Sequence, residues 1–349
     1  MILGAVYAVI SAATFAFNNA SLRRGVISST VFQALAITVP MGVPLFFLAA
    51  LVTGQLSKIL EFNSINLVCL SAAGIFHFVW GRYCGYRAIK AMGSNLAAPV
   101  QSANLVIALT LAIVLLDETM TALKILGLGL IIIGNVIAIP SKKQRDQLKT
   151  RVQPNQDKSE RDSPSSIIRE SGNSAATQTP EFKPNLTEGY TWALLSATGY
   201  GISPVLVRQG MDGMTGSALA AGFISYLAAG LFFCLFLIPR GRIQHVISMD
   251  RRAIPWFTYS GFFGFLAQMF RYLALSVAPV TVVAPIQRIT GIFRIIFSSL
   301  LNPGHEVINF RLIFGTMVSI AGAMALAMSV DLVTDWVNLP TDLLNWQWP

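Results

Sequence analysis

The second half of this chain repeats the first, and each copy holds five apolar segments. Gly4, Ala8, Ser11, Ala12, Arg23 and Gly25 recur as Gly189, Ala193, Ser196, Ala197, Arg208 and Gly210, a constant shift of 185. Tyr86, Ala88, Ala98, Pro99 and Gln101 recur as Tyr272, Ala274, Ala284, Pro285 and Gln287, shifted by 186. Glu118, Gly127 and Gly134 recur as Glu306, Gly315 and Gly322, shifted by 188. Chance alignment of two Leu-rich stretches would scatter Ala and Leu matches. It would not keep Gly, Pro, Tyr, Gln and Glu in order. Five crossings per copy is odd, so the second copy must enter the bilayer facing the other way. Inverted repeats are a signature of secondary transporters, whose substrate sites lie where the copies meet near the midplane.

The segments themselves fall near 2–22, 31–53, 66–89, 95–116, 124–140, 189–208, 217–238, 255–275, 279–301 and 311–330. Most are about 20 residues, the length a helix needs to cross the hydrocarbon core. The chain is 54% hydrophobic and 12% charged, about half the charged share of a soluble domain. The expected fold is therefore all-α and polytopic, with ten transmembrane helices as two inverted-topology five-helix repeats over 1–140 and 189–330. Residues 1–22 have no basic start and are not expected to be a cleaved leader.

Between the repeats, 141–188 carries nine Lys/Arg and seven Asp/Glu among many Ser, Gln, Asn and Pro. Such a stretch cannot bury enough apolar area to fold alone, so a disordered polar linker is expected. Its Asn185-Leu186-Thr187 sequon lies too close to the next segment to read as a glycosylation site. The tail, 331–349, has Trp336, Trp346 and Trp348 and no Lys or Arg, which suits the interfacial layer. Arg23, Arg24, Arg87, Lys90, Arg240, Arg242, Arg251, Arg252 and Arg311 share the linker's side, against Lys58, Lys124 and Arg208 opposite. The positive-inside rule then puts the linker in the cytoplasm and both termini outside. The net charge of +9 works on topology and implies no nucleic-acid partner. Cys69, Cys84 and Cys234 have no metal-type spacing, and no cofactor is expected.

Three doubled motifs carry a resemblance. Gly81-Arg82-Tyr83-Cys84-Gly85-Tyr86-Arg87-Ala88 is answered by Arg271-Tyr272-Leu273-Ala274, and Ala97-Ala98-Pro99-Val100 by Val283-Ala284-Pro285-Ile286. Asp117-Glu118-Thr119, with Gly127 and Gly134, is answered by His305-Glu306, with Gly315 and Gly322. The chain resembles the ten-helix EamA-type transporters of the drug/metabolite transporter superfamily. That resemblance implies a transporter, in a plasma (inner) membrane by default, rather than an enzyme. Small multidrug exporters of the superfamily use a first-helix glutamate for proton-coupled cation export. Here the first helix offers Asn18 and Asn19 instead.

All sixteen acidic residues fall in the linker, the tail or loop positions: Glu61, Asp117, Glu118, Asp212, Asp250 and Glu306. Cations do occur inside spans, namely Arg82, Arg271, Arg288 and Arg294, with His77 nearby. Ionisable groups at membrane depth face a cavity or a partner, and guanidinium forks suit carboxylates and phosphates. Gln287, Gly291 and Arg294 share one face of the ninth segment, and Gln101 and Asn104 one face of the fourth. Arg82 with Tyr86, and Gln268 with Tyr272, form matching i, i+4 pairs. Candidate substrate-binding residues are thus Gln101, Asn104, Gln287, Arg288 and Arg294, then Arg82, Tyr86, Gln268, Arg271 and Tyr272. Two bland readings stand beside this one. Arg82 and Arg271 could snorkel to the interface, and the amides and tyrosines could pin helices together.

The expected function is secondary transport of a small polar metabolite, anionic or zwitterionic, by alternating access. The alternatives are an exporter of neutral or cationic amphiphiles, or a non-transporting membrane sensor or scaffold. A substrate and membrane lipids are the expected partners, and a homodimer is left open. The dispersed His77, His245 and His305 and the lack of a nucleotide-binding loop argue against an enzyme and against direct ATP drive. Glu118 and Glu306 read as loop-facing groups beside bases such as Arg311, and Pro99 and Pro285 as first-turn prolines.

Overall fold

The computed structural model describes residues 2–116, 120–140, 184–327 and 347–348. The tail before Gln347, the linker up to residue 183, Asp117 and Glu118 lie outside the described residues, as does the expectation of linker disorder. Ten helical rods form the described part. The first repeat supplies α1 (Ile2–Val26), α2 (Val31–Val52), α3 (Ser64–Met92), α4 (Ser94–Leu116) and α5 (Ala122–Ala138). The second supplies α6 (Leu186–Gly210), α7 (Ala218–Leu237), α8 (Ile254–Val277), α9 (Val280–Leu301) and α10 (Phe310–Ala327). The described non-helical pairing is a two-residue antiparallel contact of Met120–Thr121 with Gln347–Trp348.

Helix α6 starts inside the stretch read as linker. Asn185 accepts from the Glu188 amide as an N-cap, so the sequon asparagine opens a helix. Glu188 also pairs with Arg87 at 2.6 Å.

Six of the rods are long and apolar enough to cross a membrane: α1, α2, α3, α4, α7 and α9. Shorter apolar helices cover Ile125–Ala138 and Phe310–Ala325. The large apolar side chains on the outside, such as Leu51, Val68, Val114, Val136, Leu231, Leu300 and Phe310, have no covering protein among the described residues. A soluble chain would not leave so much apolar area in water. Lipid is the solvent that suits it.

Because lipid tails are as apolar as leucine, the rods associate through close packing of small residues. On α1, Ala8, Ala12, Ala16 and Ala20 recur every fourth position and are fully buried. A different face of α1 lies against α8 in the opposite repeat: Ser11 donates to the Ala267 carbonyl, Asn18 accepts from Ser260, and a Cβ on Gly25 would strike the Phe257 ring. By the same logic α6 packs on α3 and α4, while α1 packs on α8 and α9. Each first helix thus leaves its own repeat and docks on the other. The remaining rods pair across the repeats with their counterparts, α2 with α7 and α5 with α10. At the α5–α10 crossing, backbones touch through the repeated glycines. A Cβ on Gly322 would lie 2.6 Å from the Gly127 carbonyl oxygen, and one on Gly134 or Gly315 would strike the facing backbone.

Candidate functional site

Four of the rods are irregular in mid-course, and in α2 the break falls at Val39–Met41, around Pro40. In α3 the stretch Ile75–Gly81 is a π-helical turn, a form that is rare outside functional sites. Helix α4 is broken at Ser102, three residues after Pro99. Its counterpart α9 narrows to a 3₁₀ turn at Gln287–Ile289, two residues after Pro285. Both prolines sit inside their helices near the end of the first half, not in the first turn as the sequence suggested. Irregular backbone at membrane depth is tolerated where it is buried in protein or lines a cavity.

The irregular stretches of α3, α4 and α9 border one cavity of about 140 Å³, and that of α2 does not. Its wall takes side chains from both repeats: Ser11 and Phe15 of α1, His77, Asn95, Gln101 and Asn104 from the first, Tyr200, Gln268, Arg271, Gln287, Arg288 and Arg294 from the second.

A symmetric frame holds the wall. Gln287 Nε2 donates to Ser11 Oγ at 2.9 Å, and Gln101 Nε2 donates to Ser196 Oγ at 3.1 Å. Ser11 and Ser196 are repeat counterparts, as are the two glutamines, so each glutamine holds the first helix of the opposite repeat.

On that frame the charge is placed asymmetrically. Arg271 donates to His77 Nδ1 at 2.9 Å and to Ser203 Oγ at 2.9 Å. Arg288 donates to Asn104 Oδ1 at 3.0 Å, and Arg294 to the Ser94 carbonyl at 3.1 Å. All three keep a buried Nε with no partner. At the positions repeat-equivalent to Arg271, Arg288 and Arg294, the first repeat has Gly85, Ser102 and Ala108. Gly85 could not be larger without displacement, since a Cβ there would approach Tyr200 Oη at 3.0 Å and Gln101 Nε2 at 3.1 Å. No described carboxylate lines the cavity.

One Arg271 guanidinium nitrogen lies 2.9 Å from Nδ1 and 3.3 Å from Nε2 of His77, and since a guanidinium can only donate, the ring nitrogen it bonds is an acceptor. The Gln268 terminal amide lies 3.0 Å from Nε2. Its other terminal atom, Oε1, is buried with no partner.

Seven of the ten candidate residues therefore line one space: Gln101, Asn104, Gln268, Arg271, Gln287, Arg288 and Arg294. The structure does not bring Arg82, Tyr86 or Tyr272 to it. Arg82 donates to the Thr38 carbonyl at 3.0 Å and to Tyr226 Oη at 2.9 Å, with its guanidinium over the Phe78 ring. Tyr86 turns to Thr38 Oγ1, and Tyr272 packs on Phe46. Neither Arg82 nor Arg271 snorkels, for they are 4% and 5% exposed and bonded inside the protein. Asn95, Ser11 and Tyr200 were not candidates from the sequence. The signals were faint: Ser11 recurs in the repeat as Ser196, and Asn95 stands seven residues before Ser102 on one face of α4.

Glu306 does not face the loop. Its side chain is 1% exposed, lies 3.9 Å from Arg23 Nε, and accepts from the backbone amides of Ser94 at 2.7 Å and Asn95 at 3.0 Å. It caps the first turn of α4, where a carboxylate meets free N–H groups and the positive end of the helix dipole. Arg311, its expected partner, donates instead to the Ile137 carbonyl at 3.3 Å. Arg23 also donates to Ile89, Lys90 and His305 carbonyls, which closes the bundle at that end.

This all-helical pair of five-rod repeats around a polar central cavity is the architecture of a membrane transporter. The chain belongs to the EamA-like transporter family, whose sequence profile matches residues 2–139 and 187–328. No curated protein matches the chain. A solved structure described as a crystal structure of a protein has the same fold, with a TM-score of 0.57, at 13% identity over 93% of this chain and 94% of that one.

Proposed function

We propose that this protein is a secondary transporter for a small anionic or zwitterionic metabolite, bound between the repeats and released as one repeat rocks against the other. The observation that supports the reading most is the set of three arginines around a cavity with no described carboxylate. Buried cations need anions; Glu306 acts on Arg294 from behind the wall, and a substrate would supply the negative charge inside the cavity. Export of cationic amphiphiles fits poorly, because such a ligand would meet three like charges and no acid. A scaffold would have no use for an arginine-lined cavity, and a sensor would lose its output when the linker 141–188 is deleted whereas a transporter would keep its flux. A cytoplasmic linker and a plasma (inner) membrane complete the reading. Its partners are the substrate and membrane lipids, with no nucleic acid.

Uptake into proteoliposomes, measured against a panel of organic acids, amino acids, sugar phosphates and lipophilic cations, tests this directly. One anionic or zwitterionic class should be carried, and Arg294→Ala should abolish its uptake with insertion intact. Transport of lipophilic cations alone, or wild-type flux in Arg294→Ala, would overturn the reading.

A further inference from the structure

Asn95 is 1% exposed, lines the cavity, and has no hydrogen-bond partner at either terminal atom. Leaving both ends of a buried amide unpaired is costly, and native proteins seldom do so without a ligand or water to answer it. The position is also held firmly, since the Asn95 amide donates to Glu306 Oε2 at 3.0 Å. The neighbouring carbonyl of Ser94 accepts from Arg294, which puts this amide beside a guanidinium of the site.

The unspent hydrogen bonds of the cavity then describe a ligand. Arg271, Arg288 and Arg294 each offer an Nε–H; these are donors and call for an acid group. Asn95 offers a donor and an acceptor side by side. Its acceptor needs a proton from the ligand, which a bare carboxylate or a fully ionised phosphate lacks. Two common groups could give it, a hydroxyl or an ammonium. An ammonium would sit among three guanidinium groups with no described carboxylate in the wall, so charge repulsion disfavours it. A hydroxyl gives and takes one hydrogen bond without charge.

We propose that the cavity selects a small hydroxylated anion, its acid group held by the arginines and its hydroxyl read by Asn95. The inference rests on the anion-site reading above and narrows it, setting amino acids aside. The volume agrees with a compact molecule. An engineered cavity of roughly this size holds a benzene, so the ligand has on the order of ten non-hydrogen atoms or fewer.

The test is a matched set of probes on the purified full chain. Succinate, malate and aspartate share one carbon skeleton and differ in carrying no extra group, a hydroxyl or an amine. Propyl phosphate and glycerol 3-phosphate make a similar contrast with a phosphate. Affinities are read from thermal stabilisation across a concentration series. Malate should bind at least about tenfold more tightly than succinate and aspartate, or glycerol 3-phosphate than propyl phosphate, because an unmatched buried polar group is penalised heavily. Whichever pair shows the preference also identifies the acid. In Asn95→Leu the preference should vanish while the unhydroxylated anion still binds. If that variant does not insert, Asn95→Ser serves instead, its shorter side chain lowering the preference several-fold.

Equal binding of hydroxylated and plain anions, or tightest binding of aspartate, would overturn the hydroxyl inference and leave the anion site standing. A preference that survives in Asn95→Leu would overturn the role of Asn95. No response to any anion would overturn both.

Discussion

The two repeats are alike in what builds the molecule and unlike in what charges it. The shared part is the frame: the Ser11–Gln287 and Ser196–Gln101 bonds, and the glycines that let α5 and α10 touch. The unshared part is Arg271, Arg288 and Arg294, opposite Gly85, Ser102 and Ala108. On the proposed mechanism, in which one repeat rocks against the other, two similar halves let both ends close by similar contacts. Binding needs no such likeness. One set of cations between the halves serves both faces, and a second set would add repulsion. Frame and charge are therefore under separate constraints, and they should separate in experiments.

The largest separation is expected between two arginines that sequence could not tell apart. Arg271→Leu should reduce uptake about 100-fold or more, since charged hydrogen bonds contribute about 1.5–3 kcal/mol each. Arg82→Leu should leave uptake per folded molecule within about threefold of wild type. Its cost should appear in melting temperature, because the Thr38 carbonyl and Tyr226 hydroxyl lose their donor, at about 1–3 kcal/mol. Reversed outcomes would place the charge function in the frame and erase the distinction.

A smaller effect is expected at Glu306. Replacing it with Ala removes the acceptor for Ser94 and Asn95 and the carboxylate near Arg23, costing about 2–3 kcal/mol in unfolding experiments. Its repeat counterpart Glu118 lies outside the described residues. A similar loss in Glu118→Ala would assign both acids to the shared frame. A neutral Glu118→Ala would make Glu306 a second asymmetry.

Much of this was legible in the sequence. The repeat placed ten apolar segments, and helical spacing collected Gln101 and Asn104 on one face and Gln287 and Arg294 on another, faces that do meet. Periodicity says which side of a helix is polar, not which helix it meets. It could not show that α1 docks on α8 in the other repeat, or that Arg82 is satisfied by a tyrosine 144 residues away. Nor could it show the π turn that carries His77 to Arg271, because apolar composition looks the same in either helical form. Glu306 was misread for a related reason. Loop residues are usually solvated, and its burial depends on a helix end 212 residues earlier in the chain.

The finest test concerns the paired glutamines. Gln101→Leu and Gln287→Leu each remove one neutral hydrogen bond, which contributes about 1 kcal/mol. Neither strands the serine it held, because Ser196 keeps its bond to the Ala193 carbonyl and Ser11 its bond to the Ala267 carbonyl. Those second bonds differ. Ser196 returns to its own helix, whereas Ser11 reaches α8, so the chain from Gln287 ties α9, α1 and α8 together. If the frame is symmetric in energy as well as in place, the two variants should melt within about 0.5 kcal/mol of each other. Uptake should still differ by several-fold, because Gln287 begins the 3₁₀ turn that aims Arg288 at Asn104 and Gln101 adjoins no cation. Equal melting with unequal uptake would locate the asymmetry in the charge alone. Unequal melting would show that the three-helix tie makes the second repeat the stiffer half, and that the frame itself is not evenly shared.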